Sequence, residues 1–317
     1  MPPQNVGLVL DILRIIFEMA ARADRRTALK LVLVSRLVES WVSSILYETV
    51  YLYRQRTSNK FLRTIETSIT KSSAFFSTHV KSLCILFDMP VDQVVRVTSI
   101  CNGIENLTTW FLPSPRSGPA AAPLSHSLFS LRPRKLAAWH GVLRSPDPHF
   151  GAPFFSNITH LTVVNIWEEW TAWPAFSLPS LTHLSLDFTF GSRVLAEEEL
   201  LFIFEAVNAI LLACPRVRVC ALRVDQPATS PSIASMSHRF RCEPRVVFYC
   251  HHEPFQIRGA HADTEAAIWE ALQAAVARPN DSDTGPFIHS PLNHPRLKYL
   301  LMFPRTYIGI HGREIRR

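Results

Sequence analysis

The chain is short of glycine, of cysteine and of long apolar runs, and each shortage removes a class of function. Ten glycines occur in 317 residues, and nowhere do they fall into GxGxxG or GxxxxGK, the patterns of dinucleotide-binding turns and P-loops. GxSxG is missing too, and with it the nucleophile elbow of the α/β-hydrolases. Six cysteines, Cys84, Cys101, Cys214, Cys220, Cys242 and Cys250, form no CxxC pair. A chain of this size has no need of disulfides, so free thiols in a reducing compartment are expected. Cys242, Cys250, His251 and His252 match no zinc spacing, and no metal or cofactor is expected. The longest apolar stretch, residues 200–214, is interrupted by Glu205 and Asn208 and falls short of the ~20 residues of a membrane span. No membrane partner is expected.

Charge is thin as well. Charged residues make up 19% of the chain, and the net charge is +7. The bases are scattered without a stripe of interleaved aromatics, so nucleic acid is not an expected partner. Two groups of acids invite a catalytic reading. In HADTE (261–265) the acids suit a helix start, and neighbours in WEEW (167–170) point apart. Neither makes an acid–base pair, and no catalytic residue is assigned. The chain reads as a protein that is not an enzyme.

What is present begins at residue 8 with LVLDILRIIF. No base precedes this run, and Asp11 and Arg14 break it, so an export signal is not expected. Leu8, Ile12, Ile15, Ile16 and Met19 recur at steps of three and four, an apolar helical stripe that Phe17 widens. Asp24 is placed to cap a second helix within TALKLVLVSR. VESWVSSILYETV reads as a third, with Trp41, Ile45 and Leu46 inside. Ile16 is expected in the interior. A unit of roughly 40 residues is marginal alone, so it packs on the rest of the chain or on a partner.

The order of LVLDILRIIF, VLVSR, SW and ILYETVYL resembles the F-box of fungal proteins, over about 45 residues. The family opens on Leu-Pro-x-Glu, whereas this chain has Val9 and Asp11. The missing proline removes a fixed φ and part of the family's contact surface. The resemblance implies a substrate receptor of a cullin-RING ubiquitin ligase, working in cytoplasm or nucleus. Its linker subunit, which joins it to the cullin, would be gripped by Leu8, Val9, Asp11, Ile12, Ile16, Val34, Ser35 and Trp41. In the alternative reading Ile16, Val34 and Trp41 are core residues of a helical cap closing a repeat array, and the protein is a non-catalytic interaction scaffold.

Beyond residue 50 a short extended piece and a helix with Phe61, Leu62, Ile65 and Ile69 form a linking segment, 51–78. From 79 to 317 a loose repeat follows. Leu83, Leu107, Leu136, Leu161, Leu184, Cys220 and Leu300 each centre a short apolar copy, and PSLTHLSLDF is the clearest. The pattern resembles an irregular leucine-rich repeat, which implies a parallel sheet with helices and loops on its outer face. The fold class is thus α/β, a helical F-box-like unit of residues 1–50 followed by a solenoid-like domain. Helices are expected over VDQVVRVTSI, AEEELLFIFEAVNAILLA and DTEAAIWEALQAAV. Loops are expected at 113–123, 225–232 and 279–286. Leu184 is expected inside. Side chains alternate along a strand, so Trp110, Trp139, His160, His183, Asp187, Arg223 and Tyr299 fall on one face. That face is expected to be concave and open and to hold a protein target. His160 and His183 occupy equivalent positions of adjacent copies and are expected to stack. Unperturbed, they would make target binding sensitive between pH 6 and 7.5.

Overall fold

The computed structural model describes residues 9–85, 89–109, 128, 130–139, 153–166, 178–190, 193–250, 262–277 and 287–289. Three helices come first: α1 (Leu10–Ala23), α2 (Arg25–Leu31) and α3 (Arg36–Glu48). Asp24 caps α2, accepting from the Arg26 and Thr27 amides at 3.2 and 2.9 Å. Ser35 caps α3 through the Val38 amide at 3.2 Å. Each cap satisfies helix donors that otherwise have no partner. Asp11 stands in the first turn of α1, where the helix dipole favours an acid. A small core of Ala21, Ala28, Val38 and Val42 holds the three together, with Phe17 and Trp41 packed on it.

Helix α3 runs directly into strand β1 (Thr49–Leu52). Then follow α4 (Gln55–Thr67), α5 (Ser73–His79), β2 (Ser82–Ile85), α6 (Val91–Ile100), β3 (Asn106–Thr109) and β4 (Lys135–Trp139). A single helical turn α7 (Pro153–Ser156) precedes β5 (His160–Ile166) and β6 (His183–Thr189). The chain continues with α8 (Glu197–Ala213), β7 (Val219–Val224), α9 (Pro231–Arg239), β8 (Val246–Cys250), α10 (Ala262–Val276) and β9 (Phe287–His289). The nine strands form one sheet in sequential order, and every neighbouring pair is parallel. Strand β1 is its first member, so the stretch read as a linker from residue 51 begins inside the sheet.

The repeat alignment is the ladder register. Leu83 pairs with Leu107, then Leu136, Leu161, Leu184 and Cys220 in turn. Val50 extends the row at one end and Val246 at the other. Leu300 lies outside the described residues. This row and the row two residues on, with Ile85, Ala138, Val163, Leu186 and Leu222, form one continuous core. Helices α4, α6, α8 and α9 pack on that core through Phe61, Val94, Val97, Ile203, Ile210 and Ile233 among others. Leu184 is fully buried as expected. Three acids open α8, and Glu199 accepts from the Ala196 amide at 2.8 Å.

Two expectations change. Ile16 is 50% exposed. The buried side of α1 carries Phe17 and Ala21 instead, because these face α2 and α3. The face expected to be concave and open is also not open throughout. Helix α10 lies on it, and Trp269 and Leu272 form a second core with Val219, Ala221, Val247 and Tyr249.

Candidate functional site

Two surfaces bring the singled-out residues together. The first is on the helical unit. Val9, Ile12, Ile15, Ile16 and Met19 recur at steps of three and four along α1, and all are exposed. Leu29, Leu33, Val34 and Leu37 continue the exposed apolar set across α2 and the start of α3. Ten of the sixteen exposed large apolar residues described lie between Val9 and Leu37. A water-soluble surface rarely gathers such residues without a partner. The residues assigned to linker contact divide accordingly. Val9, Ile12, Ile16 and Val34 are on this surface. Asp11 and Ser35 are exposed at helix starts, and Leu8 lies outside the described residues. Trp41 turns inward, its ring 6.4 Å from that of Phe17.

The second surface is the sheet face that carries His160, His183, Asp187 and Arg223. His160 and His183 are register partners, and their rings stack at 4.2 Å with 2° between planes. Strand spacing alone sets rings on equivalent positions about 4.8 Å apart. The Thr182 hydroxyl donates to the Thr159 carbonyl at 3.0 Å, so its oxygen accepts from His183 Nδ1 at 2.8 Å. The Thr159 hydroxyl likewise donates to the Arg134 carbonyl at 3.1 Å and receives His160 Nδ1 at 2.9 Å. In both rings the proton therefore sits on Nδ1. His183 Nε2 is left as an acceptor, and the Gln273 amide nitrogen of α10 stands 2.6 Å from it. Trp269 meets both rings at a steep angle, with centroids 5.4 and 5.3 Å away.

Burial pushes the His160 imidazole down to about 3, helped by His183, Lys135 and Arg134. Burial lowers His183 as well, with Arg218 and Lys135 adding to it. Desolvation and like charge both disfavour the imidazolium. Titration of an unperturbed pair between pH 6 and 7.5 is accordingly not what this site provides.

Further along the strands, Asp187, Arg223 and Tyr249 stand in one row across β6, β7 and β8. Arg223 Nη1 lies 3.8 Å from Asp187 Oδ2, and the guanidinium carbon lies 5.5 Å from the centre of the Tyr249 ring. All three side chains are buried, Asp187 at 1% exposure and Arg223 at 5%. Asp187 and Arg223 were expected on an open face. Packing of α10 on Val219, Ala221, Val247 and Tyr249 roofs this end of it. Buried opposite charges of this kind hold each other in place, and each depends on the other for compensation. Trp110 and Tyr299 lie outside the described residues, and Trp139 ends β4, where only the backbone is described. Sequence reasoning missed Trp269, Gln273 and Tyr249. The helix carrying the first two was legible, but not the face it would cover.

Among the described residues no group of three or more His, Cys, Asp or Glu side chains could hold a metal ion. No described helix is long and apolar enough to cross a membrane. Comparison with protein-family models, with curated proteins and with solved structures returns no match for this chain.

Proposed function

We propose that this chain is the substrate-receptor subunit of a cullin-RING ubiquitin ligase, with residues 8–50 docking on the linker subunit. The exposed apolar surface of Val9, Ile12, Ile16, Met19 and Val34 carries the reading. It includes Val9, Ile12, Ile16 and Val34, four of the residues that the F-box resemblance assigns to the linker. A unit that merely closed the end of the sheet would turn these side chains toward β1, whereas they face away from their own core. The repeat domain then presents a target, and ligation is promoted by effective concentration rather than by bond chemistry in this chain. Its compartment on this reading is cytoplasm or nucleus.

The test is co-purification of the full chain with a linker subunit and cullin. Truncating a central apolar anchor costs an interface about 1–3 kcal/mol. Ile16→Asp and Val34→Asp should each weaken linker capture by roughly tenfold or more, with the chain still folded. Val9→Pro restores the family residue and should tighten capture. Absence of the linker from both the native chain and the Val9→Pro chain removes the ligase reading.

A further inference from the structure

Helix α10 does not behave as another coil of the array. Strand β8 leads to β9 in the same direction along the sheet as every earlier strand leads to the next. The helices α4, α6, α8 and α9 make their crossings over the face of the continuous core. Helix α10 crosses over the other face, against Val219, Ala221, Val247 and Tyr249. The same strand progression with the helix on the opposite face has the opposite hand. Parallel crossovers overwhelmingly keep one hand, so this one needs a reason beyond chain connection.

What α10 presents to the sheet is compact. Trp269 closes on the stacked histidines. Leu272, three residues on, sits among the small and apolar side chains of β7 and β8. Gln273, four residues on, meets His183 Nε2. Residues three and four apart share a helix face, which is how an amphipathic helix fills a groove. The occupation is also incomplete. Ser185 Oγ lies buried in the middle of this face with no hydrogen-bond partner among the described residues. A buried hydroxyl left so is costly, and a better-fitting occupant would supply the bond. The sheet does not need the helix for its main core: among the described residues, the cluster beneath α10 draws on four sheet side chains, Val219, Ala221, Val247 and Tyr249, whereas the continuous core lies on the other face.

We propose that α10 is an intramolecular occupant of the target groove, displaced by an amphipathic helix of the target. That helix would carry an aromatic residue, an aliphatic residue three positions on, and an amide or other hydrogen-bonding group next to it. The proposal rests on the substrate-receptor reading for the identity of the displacing protein. The groove and its internal occupant are physical features that can be tested without it.

The probe is a fluorescent synthetic peptide of residues 262–277, added to the full chain. In a Leu272→Asp chain the buried carboxylate should drive α10 off the sheet and free the groove. This chain should bind the peptide saturably, at least roughly tenfold more tightly than the native chain, whose own helix competes. A peptide with Trp269→Ala should not bind. In the native chain, amide exchange across 262–277 should run roughly 100-fold faster than in β5–β7, through an opening that leaves the sheet intact. Trp269→Ala in the full chain is the milder second variant and should raise that exchange further. The proposal is overturned if α10 exchanges only with global unfolding, if both chain variants fail to fold, or if peptide binding is equal or absent in native and Leu272→Asp chains. Linker capture by the same preparations reports on the α1–α3 surface alone. Loss of peptide binding with capture intact counts against the occupant and not against the receptor reading.

Discussion

His160 and His183 stand face to face across β5 and β6, their rings 4.2 Å apart and parallel to within 2°. Both hold their proton on Nδ1 against a threonine that is itself tied to the neighbouring strand's backbone. The charges acting on the pair are cationic: Arg134 and Lys135 on His160, Lys135 and Arg218 on His183. From α10 the groups in contact are the neutral Trp269 and Gln273. The stack is thus built for neutral imidazoles.

Its consequence is a pH dependence of stability with a definite sign. The folded chain holds His160 down to about 3, against an ordinary value of 6.5, and lowers His183 too. Below pH 6.5 the unfolded chain binds protons on these residues that the folded chain refuses. Their contribution is fully present above pH 6.5 and is lost as pH falls below it, for His160 over the range down to about 3. Each histidine can add at most about 1.4 kcal/mol per pH unit to the slope. Urea unfolding at several pH values between 4.5 and 7, on the native chain and on His160→Gln/His183→Gln, isolates this contribution from the carboxylates. The native chain should lose stability more steeply on acidification. Equal slopes would show that the rings are solvated.

Much of this sheet was legible because a single apolar residue per strand marks the register. Leu83, Leu107, Leu136, Leu161, Leu184 and Cys220 align as the copies align, and the histidine stack follows from that alignment. Strand β8 was missed, and β1 was read as a linking extended piece rather than a member of the sheet, because Val50 and Val246 occupy the central position. In β8 all five residues are buried, with α10 on one side and the main core on the other. Its apolar run VVFYC therefore shows no alternation to read. The stripe on α1 was visible in the sequence, but periodicity does not say whether a stripe meets the chain's own core or a partner. Ile16 lies on the partner side. The face chosen by α10 was hidden for the same reason: DTEAAIWEALQAAV records a helix, not the surface beneath it.

Gly103 tests the packing of the first coils. It lies in the turn after α6, and a Cβ there would run into the carbonyl oxygen of Ser77 in α5. The obstacle is backbone, so it cannot swing aside as a side-chain tip would. Gly103→Ala should destabilise the chain by about 1–3 kcal/mol, the usual cost of forcing extra atoms into packed structure. Urea unfolding measures it, and Asn102→Ala in the same turn serves as a control for loss of the Ser77–Asn102 side-chain contact. An unchanged midpoint for Gly103→Ala would mean that α5 and the turn are not in contact.

The cysteines make a prediction that can be counted. No disulfide joins any of the six, and Cys242 alone among them is exposed. Burial pushes Cys101 and Cys220 up to about 12 and Cys250 to about 11, and raises Cys214. The thiolate is the reacting species, so these four are protected twice, by access and by protonation, and Cys84 is protected by burial. At pH 8 an aromatic disulfide reagent should modify one thiol per native chain quickly and the remaining five only on unfolding. Cys242→Ser should abolish the fast phase and leave the slow one unchanged. Because Cys220 and Cys250 lie in strands β7 and β8, directly under the main core, the slow phase should follow global unfolding in urea. Fast reaction of Cys220 or Cys250 in the native chain would place its strand at the surface and contradict the sheet order described above.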